Sequence, residues 1–272
     1  MDQLTRDEML IEKLEKWKKS LYTYELSKVE KLYEKWIDQL FSIIPETVVE
    51  ELFEKIDAGL FETNSFILSM QMQQEAEERI LLAAQAMNQH VRNLSDLKMV
   101  PTEQLTHLAE QQAAKHRVYS MLQGGVTGTG NRLMVTSDFL SSVVINLRAI
   151  QLIALSFGND IHSKSGMIET LKVFNTALMP NRLKIFGWED LMFDLDEEYD
   201  DEMPRIIDQT SIDEPIKQLL KISLIMALTK NRKSSIPLLS IAIGSGMNYC
   251  TTRNITKFAI NYYQYKHLHE KQ

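Results

Sequence analysis

The chain has 272 residues, a net charge of −7, 44% hydrophobic residues and 25% charged residues, the balance of a globular protein long enough to bury a substantial core. No basic stripe interleaved with aromatics occurs, which argues against a nucleic-acid module, since phosphate neutralisation needs clustered Lys and Arg. The single cysteine, Cys250, excludes an intrachain disulfide and any cysteine-based zinc cluster. Ten Gly and six Pro make up about half the usual share of ~12%. Sheets need turns and turns need those residues, so their scarcity predicts an all-α fold.

The first residues alternate acid and base without a signal-peptide apolar core, so the expected location is cytoplasmic. Apolar residues at Leu10, Leu14, Trp17 and Leu21, then Val29, Leu32, Trp36 and Leu40, have the spacing of an amphipathic helix. The stretch forms one long helix or two, the junction of the two falling near Tyr22 to Ser27. Pro45 starts another helix, over 46–58, and Gly59 stands at its C′ position. A third helix is predicted over 65–92, with Met70, Met72 and Met87 filling gaps in the core. After Pro101, Thr102 is the candidate N-cap of a helix that stops at Gly124. His90, His107 and His116 lack the spacing that would bring two imidazoles to one metal.

Four of the ten glycines fall in 124–130. Asn131 and Arg132 follow where a phosphate loop needs Lys and Ser or Thr, and Leu133 takes the third glycine position of a dinucleotide fingerprint. Two readings remain. The glycines form an anion-binding nest of backbone amides, or Gly124 and Gly128 let two helices approach closely; we favour the second.

Asp138 is the candidate cap of the next helix, which should stop at Gly158. The 21 residues 139–159 carry one charge, Arg148. At ~100° per residue, Ser141, Arg148 and Gln151 form a narrow polar stripe on an otherwise apolar helix. Such a helix is buried in a protein core or in lipid. A central Arg disfavours a lipid span, and in a core Arg148 requires a carboxylate or several carbonyls. Asp138 is too far along the axis, so the partner is expected on another element, Asp160 being one candidate.

A helix over 163–178 is ended by Met179-Pro180. Residues 194–202 hold seven acids in nine without EF-hand spacing, and read as a solvated loop. Ser-Ile-Asp-Glu at 211–214 is a capping-box pattern opening a helix to about 232. The second uncharged segment, 234–252, contains Gly-Ser-Gly at 244–246, but Ile243 stands where a nucleophile elbow needs glycine. A last amphipathic helix, 253–269, carries Tyr262, Tyr263 and Tyr265.

Gly124-Gly125 with Gly128, Asp138, Arg148-Ala149-Ile150, Ile153-Ala154 and Phe157-Gly158-Asn159-Asp160 form one ordered set of motifs. Ile236-Pro237, Gly244 and Asn248-Tyr249 follow. Together they resemble the EcsC family of bacterial proteins over 111–267. The founding member is encoded beside the two components of an ABC exporter that influences secretion and membrane-protein processing. The resemblance therefore implies association with envelope or transporter physiology, and supplies no substrate, cofactor or catalytic residue.

The expected architecture is all-α: a single multi-helix domain with glycine-containing helix junctions and an acidic loop near 194–204. Residues 1–100 would form an N-terminal helical layer and 101–272 the EcsC-like core. The expected function is that of a non-enzymatic accessory protein, cytoplasmic or peripheral to the inner face of the cell membrane. Its partner would be the membrane surface or an ABC transporter component, with no nucleic acid, cofactor or metal. The candidate ligand or packing site comprises Gly124, Gly125, Gly128, Asp138, Arg148, Gly158, Asp160, Gly244, Asn248 and Tyr249. The alternative is a hydrolase with its active site near the glycine-rich segment, using Asp138, Arg148, Asp160 or Ser245.

Overall fold

The computed structural model describes residues 3–26, 28, 31, 62–127, 134–196 and 237–271. Apart from 28 and 31, the rest of the first periodic stretch, to 41, lies outside them, as do the helices expected over 46–58 and 211–232. Helix α1 (Gln3–Tyr22) ends at the expected junction, where Thr23 N–H donates to the Lys19 carbonyl at 3.1 Å.

The helix predicted over 65–92 is divided. One helical piece covers 62–69, the chain turns extended at Met70 (φ −73°, ψ 134°), and α2 runs Gln71–Met87. Asn88 then leaves the helix in an extended conformation. The connection to α3 (Thr102–Thr127) contains a 3-10 turn, Leu94–Met99. It is closed by a reciprocal box in which Asn93 and Asp96 each bond the other's backbone N–H.

Thr102 does not act as a cap. It is the first residue of α3, its Oγ1 is buried without a partner among the described residues, and the carbonyl of Pro101 accepts from Gln104 and Leu105 instead. Nor does Gly124 stop α3, which continues to Thr127. A glycine inside a helix costs only about 1 kcal/mol, less than a helix gains by packing. For the same reason Gly244 lies within a single helix, α7 (Pro237–His269), which joins the two segments expected to be separate.

The long helices α3 and α7 form the most extensive pair among the described residues. Their contacts run antiparallel: Gln264 Nε2 donates to Thr106 Oγ1, Arg117 Nε to Thr256 Oγ1, and Thr252 Oγ1 to Ser120 Oγ. Fully buried Ala109, Ala113 and Ala259 keep this seam thin. Helix α4 (Met134–Ser156) packs on both, and α5 (Lys164–Leu178) packs against α4 and α7. Helix α6 (Lys184–Asp196) lies on α5. Helix α1 docks through Trp17, whose ring meets Trp188 of α6 edge-on at 5.0 Å and Phe258 of α7 at 5.7 Å.

The α4–α5 connection fixes the angle between those helices. Asn159 N–H donates to the Ala154 carbonyl and Gly158 N–H to the Leu155 carbonyl, the paired bonds of a Schellman stop. Gly158 has φ +79°, and a Cβ there would lie 2.9 Å from the backbone nitrogen of Lys98 in the 3-10 turn. Conformation and space both require glycine at this position. All described elements are helical, and their buried side chains form one core spanning 62–69 and α2 through α7. The fold is a single all-α helical domain.

Candidate functional site

Along α4 the apolar side chains from Leu147 to Leu155 are buried, as is Phe157 just beyond its end, in keeping with the sparse charge. The polar stripe meets the 62–69 piece and α2. Gln151 Nε2 donates to Asn64 Oδ1 at 2.6 Å and to the Asn64 carbonyl at 3.3 Å. Asn64 in turn donates to the Met167 carbonyl and Thr170 Oγ1 of α5. One turn earlier on α4, Arg148 Nε donates to Gln73 Oε1 at 3.2 Å and Nη2 to the Met72 carbonyl at 2.7 Å.

The partner of Arg148 is on another element, as expected, but it is not a carboxylate. Two neutral oxygens of α2 hold the guanidinium, and no ion pair forms to Arg148 among the described residues. Asp160 is exposed, and its Oδ1 accepts from its own segment, from His162 N–H at 2.9 Å. Half-burial pulls the Arg148 pKa below its ordinary value; Tyr119 opposes this and Arg79 adds to it. With Oε1 committed to Arg148, Gln73 Nε2 is a buried amide donor without an acceptor among the described residues.

Two large apolar side chains beside Arg148 are exposed. Met72, whose carbonyl holds the guanidinium, is 54% exposed, and Tyr119, close enough to act on its charge, is 49% exposed. Leu122, one turn along α3 from Tyr119, is 58% exposed. Met72 and Met87 are therefore not core gap-fillers. Their positions satisfy a helical period, but both side chains are exposed.

Not all of the predicted motif residues converge. Gly124 and Gly125 sit in the last turns of α3, where amide N–H groups bond within the helix and are not free to form a nest. Gly128 lies outside the described residues. Asp138 is inside α4, past the position of a cap. Ten residues separate it from Arg148, and helical rise spreads the two about 15 Å apart along the axis. On α7, Asn248 is buried and its carbonyl accepts from Ser120 Oγ at 3.0 Å, while its neighbour Tyr249 is exposed.

The acidic run also begins differently from the expectation of a loop. Asp194 belongs to α6, and with Asp190 it holds the buried amine of Lys172, at 2.5 and 3.0 Å. Burial by itself would lower the Lys172 pKa, but the hydrogen bonds and charges of the two acids more than offset it and raise the value. No sequence signal marks this triad, because Lys172 sits among apolar residues 22 positions from Asp194. Among the described residues, no group of three or more His, Cys, Asp or Glu is placed to hold a metal ion.

Two histidines are buried. His116 Nδ1 lies 2.8 Å from the Gln112 carbonyl; a carbonyl only accepts, so Nδ1 carries the proton and Nε2 is a buried lone pair. Burial lowers the His116 pKa to about 4, with Arg148 contributing, and lowers His267 to about 4, with Lys271 contributing. A depressed folded-state pKa means that the unfolded chain binds more protons between the two values. The stability from neutral burial is therefore complete above pH ~6.5 and is lost as pH falls towards about 4. His116 alone is expected to make the protein about 2 kcal/mol less stable at pH 5 than at pH 8. Urea midpoints at the two pH values check this, and His116→Gln should reduce the difference by that amount while leaving the part due to His267.

Among the described residues, no helix is long and apolar enough to cross a membrane. No curated protein and no solved structure matches the chain. The model of the EcsC protein family matches residues 8–268, reaching well upstream of the motifs that carry the resemblance, and the chain belongs to the EcsC protein family.

Proposed function

We propose that this EcsC protein is a non-catalytic accessory protein that works at the inner surface of the cell membrane, either on the lipid itself or beside an ABC transporter component. The observation that carries this reading is the exposure of Met72 and Tyr119 beside the half-buried Arg148, with Leu122 one turn along α3 from Tyr119. Large apolar side chains grouped on a surface mark an interaction site. A cation among them suits a bilayer, where apolar groups enter the acyl boundary and basic groups meet anionic headgroups.

Met72→Glu combined with Leu122→Glu tests the reading. Each large side chain contributes about 1.5–3 kcal/mol when removed from water, so the double variant should bind native membranes at least about tenfold more weakly. An unchanged membrane-bound fraction would remove this surface from the function.

A further inference from the structure

The arrangement around Arg148 is poor for stability. A glutamate at position 73 would give the guanidinium an ion-pair partner and leave no orphaned amide N–H. Glutamine instead fixes Nε through a neutral oxygen at 3.2 Å, the Met72 carbonyl fixes Nη2 at 2.7 Å, and Gln73 Nε2 is left without an acceptor among the described residues. Rotating the amide would turn its N–H groups against the guanidinium, so the orientation is set by Arg148. Local rules are broken in this way where function requires it.

The result is a cation held in one orientation with its charge uncompensated. Its Nη1 has no hydrogen-bond partner among the described residues; Arg79, the other cation close enough to act on its charge, is itself paired with Glu75 at 3.6 Å. A planar guanidinium with an edge unpartnered among the described residues fits the oxygens of a phosphate. The exposed Met72 and Tyr119 beside it, and Leu122 one turn from Tyr119, favour a phosphate attached to an apolar tail over one free in water.

We infer that Arg148 is the receptor for the phosphate of an anionic lipid headgroup, with Gln73 as the positioning residue that keeps the guanidinium uncompensated. This rests on the membrane-surface reading and names the ligand of the same face.

The test is flotation with phosphatidylcholine vesicles, with and without phosphatidylglycerol, beside thermal melts in inorganic phosphate. Gln73→Glu should melt at or above the wild-type temperature, because it supplies the missing ion pair, yet bind the anionic vesicles at least about tenfold more weakly. Gln73→Met, of similar length without either polar atom, leaves the charge uncompensated and should retain binding. If Gln73→Glu does not fold, Arg148→Lys replaces it; the compact ammonium loses the fork and should weaken binding.

Equal flotation of wild type and Gln73→Glu would overturn the receptor while leaving the membrane reading intact. Stabilisation of wild type by inorganic phosphate, without vesicle binding, would overturn the lipid assignment in favour of a soluble phosphate. No response to either probe would overturn both.

Discussion

Trp188→Ala is expected to destabilise the fold by about 3–5 kcal/mol, the usual range for deleting a buried aromatic ring. Trp188 is fully buried in α6 and meets Trp17, Phe258, Tyr262 and Tyr265 edge-on, with centroids 5.0, 6.2, 6.2 and 5.3 Å away. It joins α1, α6 and α7, so its loss removes contacts from three helices together. Edge-to-face pairs add about 0.5–1.5 kcal/mol each beyond area burial. Its Nε1 has no partner among the described residues, so Trp188→Phe loses no hydrogen bond there and should recover much of the difference. Urea unfolding of the two variants measures both effects. A Trp188→Ala midpoint equal to wild type would mean that α1 does not dock as described.

Gly166→Ala should cost about 3 kcal/mol, the upper end for overpacking. Gly166 is the third residue of α5, and its N–H donates to the capping Ser163 Oγ at 3.1 Å. A Cβ there would fall 1.8 Å from the carbonyl oxygen of Asp160. That oxygen is backbone, held between the Schellman stop of α4 and the cap of α5, so it cannot move without opening the connection. Gly246 supplies the contrast: a Cβ there meets nothing within 4 Å, and Gly246→Ala in α7 should stabilise by up to about 1 kcal/mol. Thermal melts of the pair should move in opposite directions.

These residues also show how much the sequence discloses. Gly158 is legible because a helix stop has a local pattern, an apolar periodic run followed by glycine. The burial of α4 is legible because charge is nearly absent from it. Gly166 is invisible, since its requirement comes from a carbonyl in the preceding turn and from no motif. Gly124 misleads, because packing along a helix outweighs a propensity of about 1 kcal/mol.

For the site, Arg148 stands out as the one charge in an uncharged run, and Gln151 as its neighbour on the stripe. Their partners do not. Gln73, Asn64 and the Met72 carbonyl are neutral and more than 70 positions away, and neutral oxygens leave no charge pattern for a sequence reading to pair. Met72 and Met87 obey helical periodicity on a helix with apolar residues on more than one face, so spacing alone does not say which face is inside.

The most direct test of a membrane-surface role is fractionation of the native protein from its own cell, with the membrane pellet washed first in high salt and then in alkaline carbonate. Such a role predicts recovery with the membrane and release by the salt wash, as for a protein held by headgroup charge and a shallow apolar face. Recovery wholly in the supernatant before any wash would contradict it.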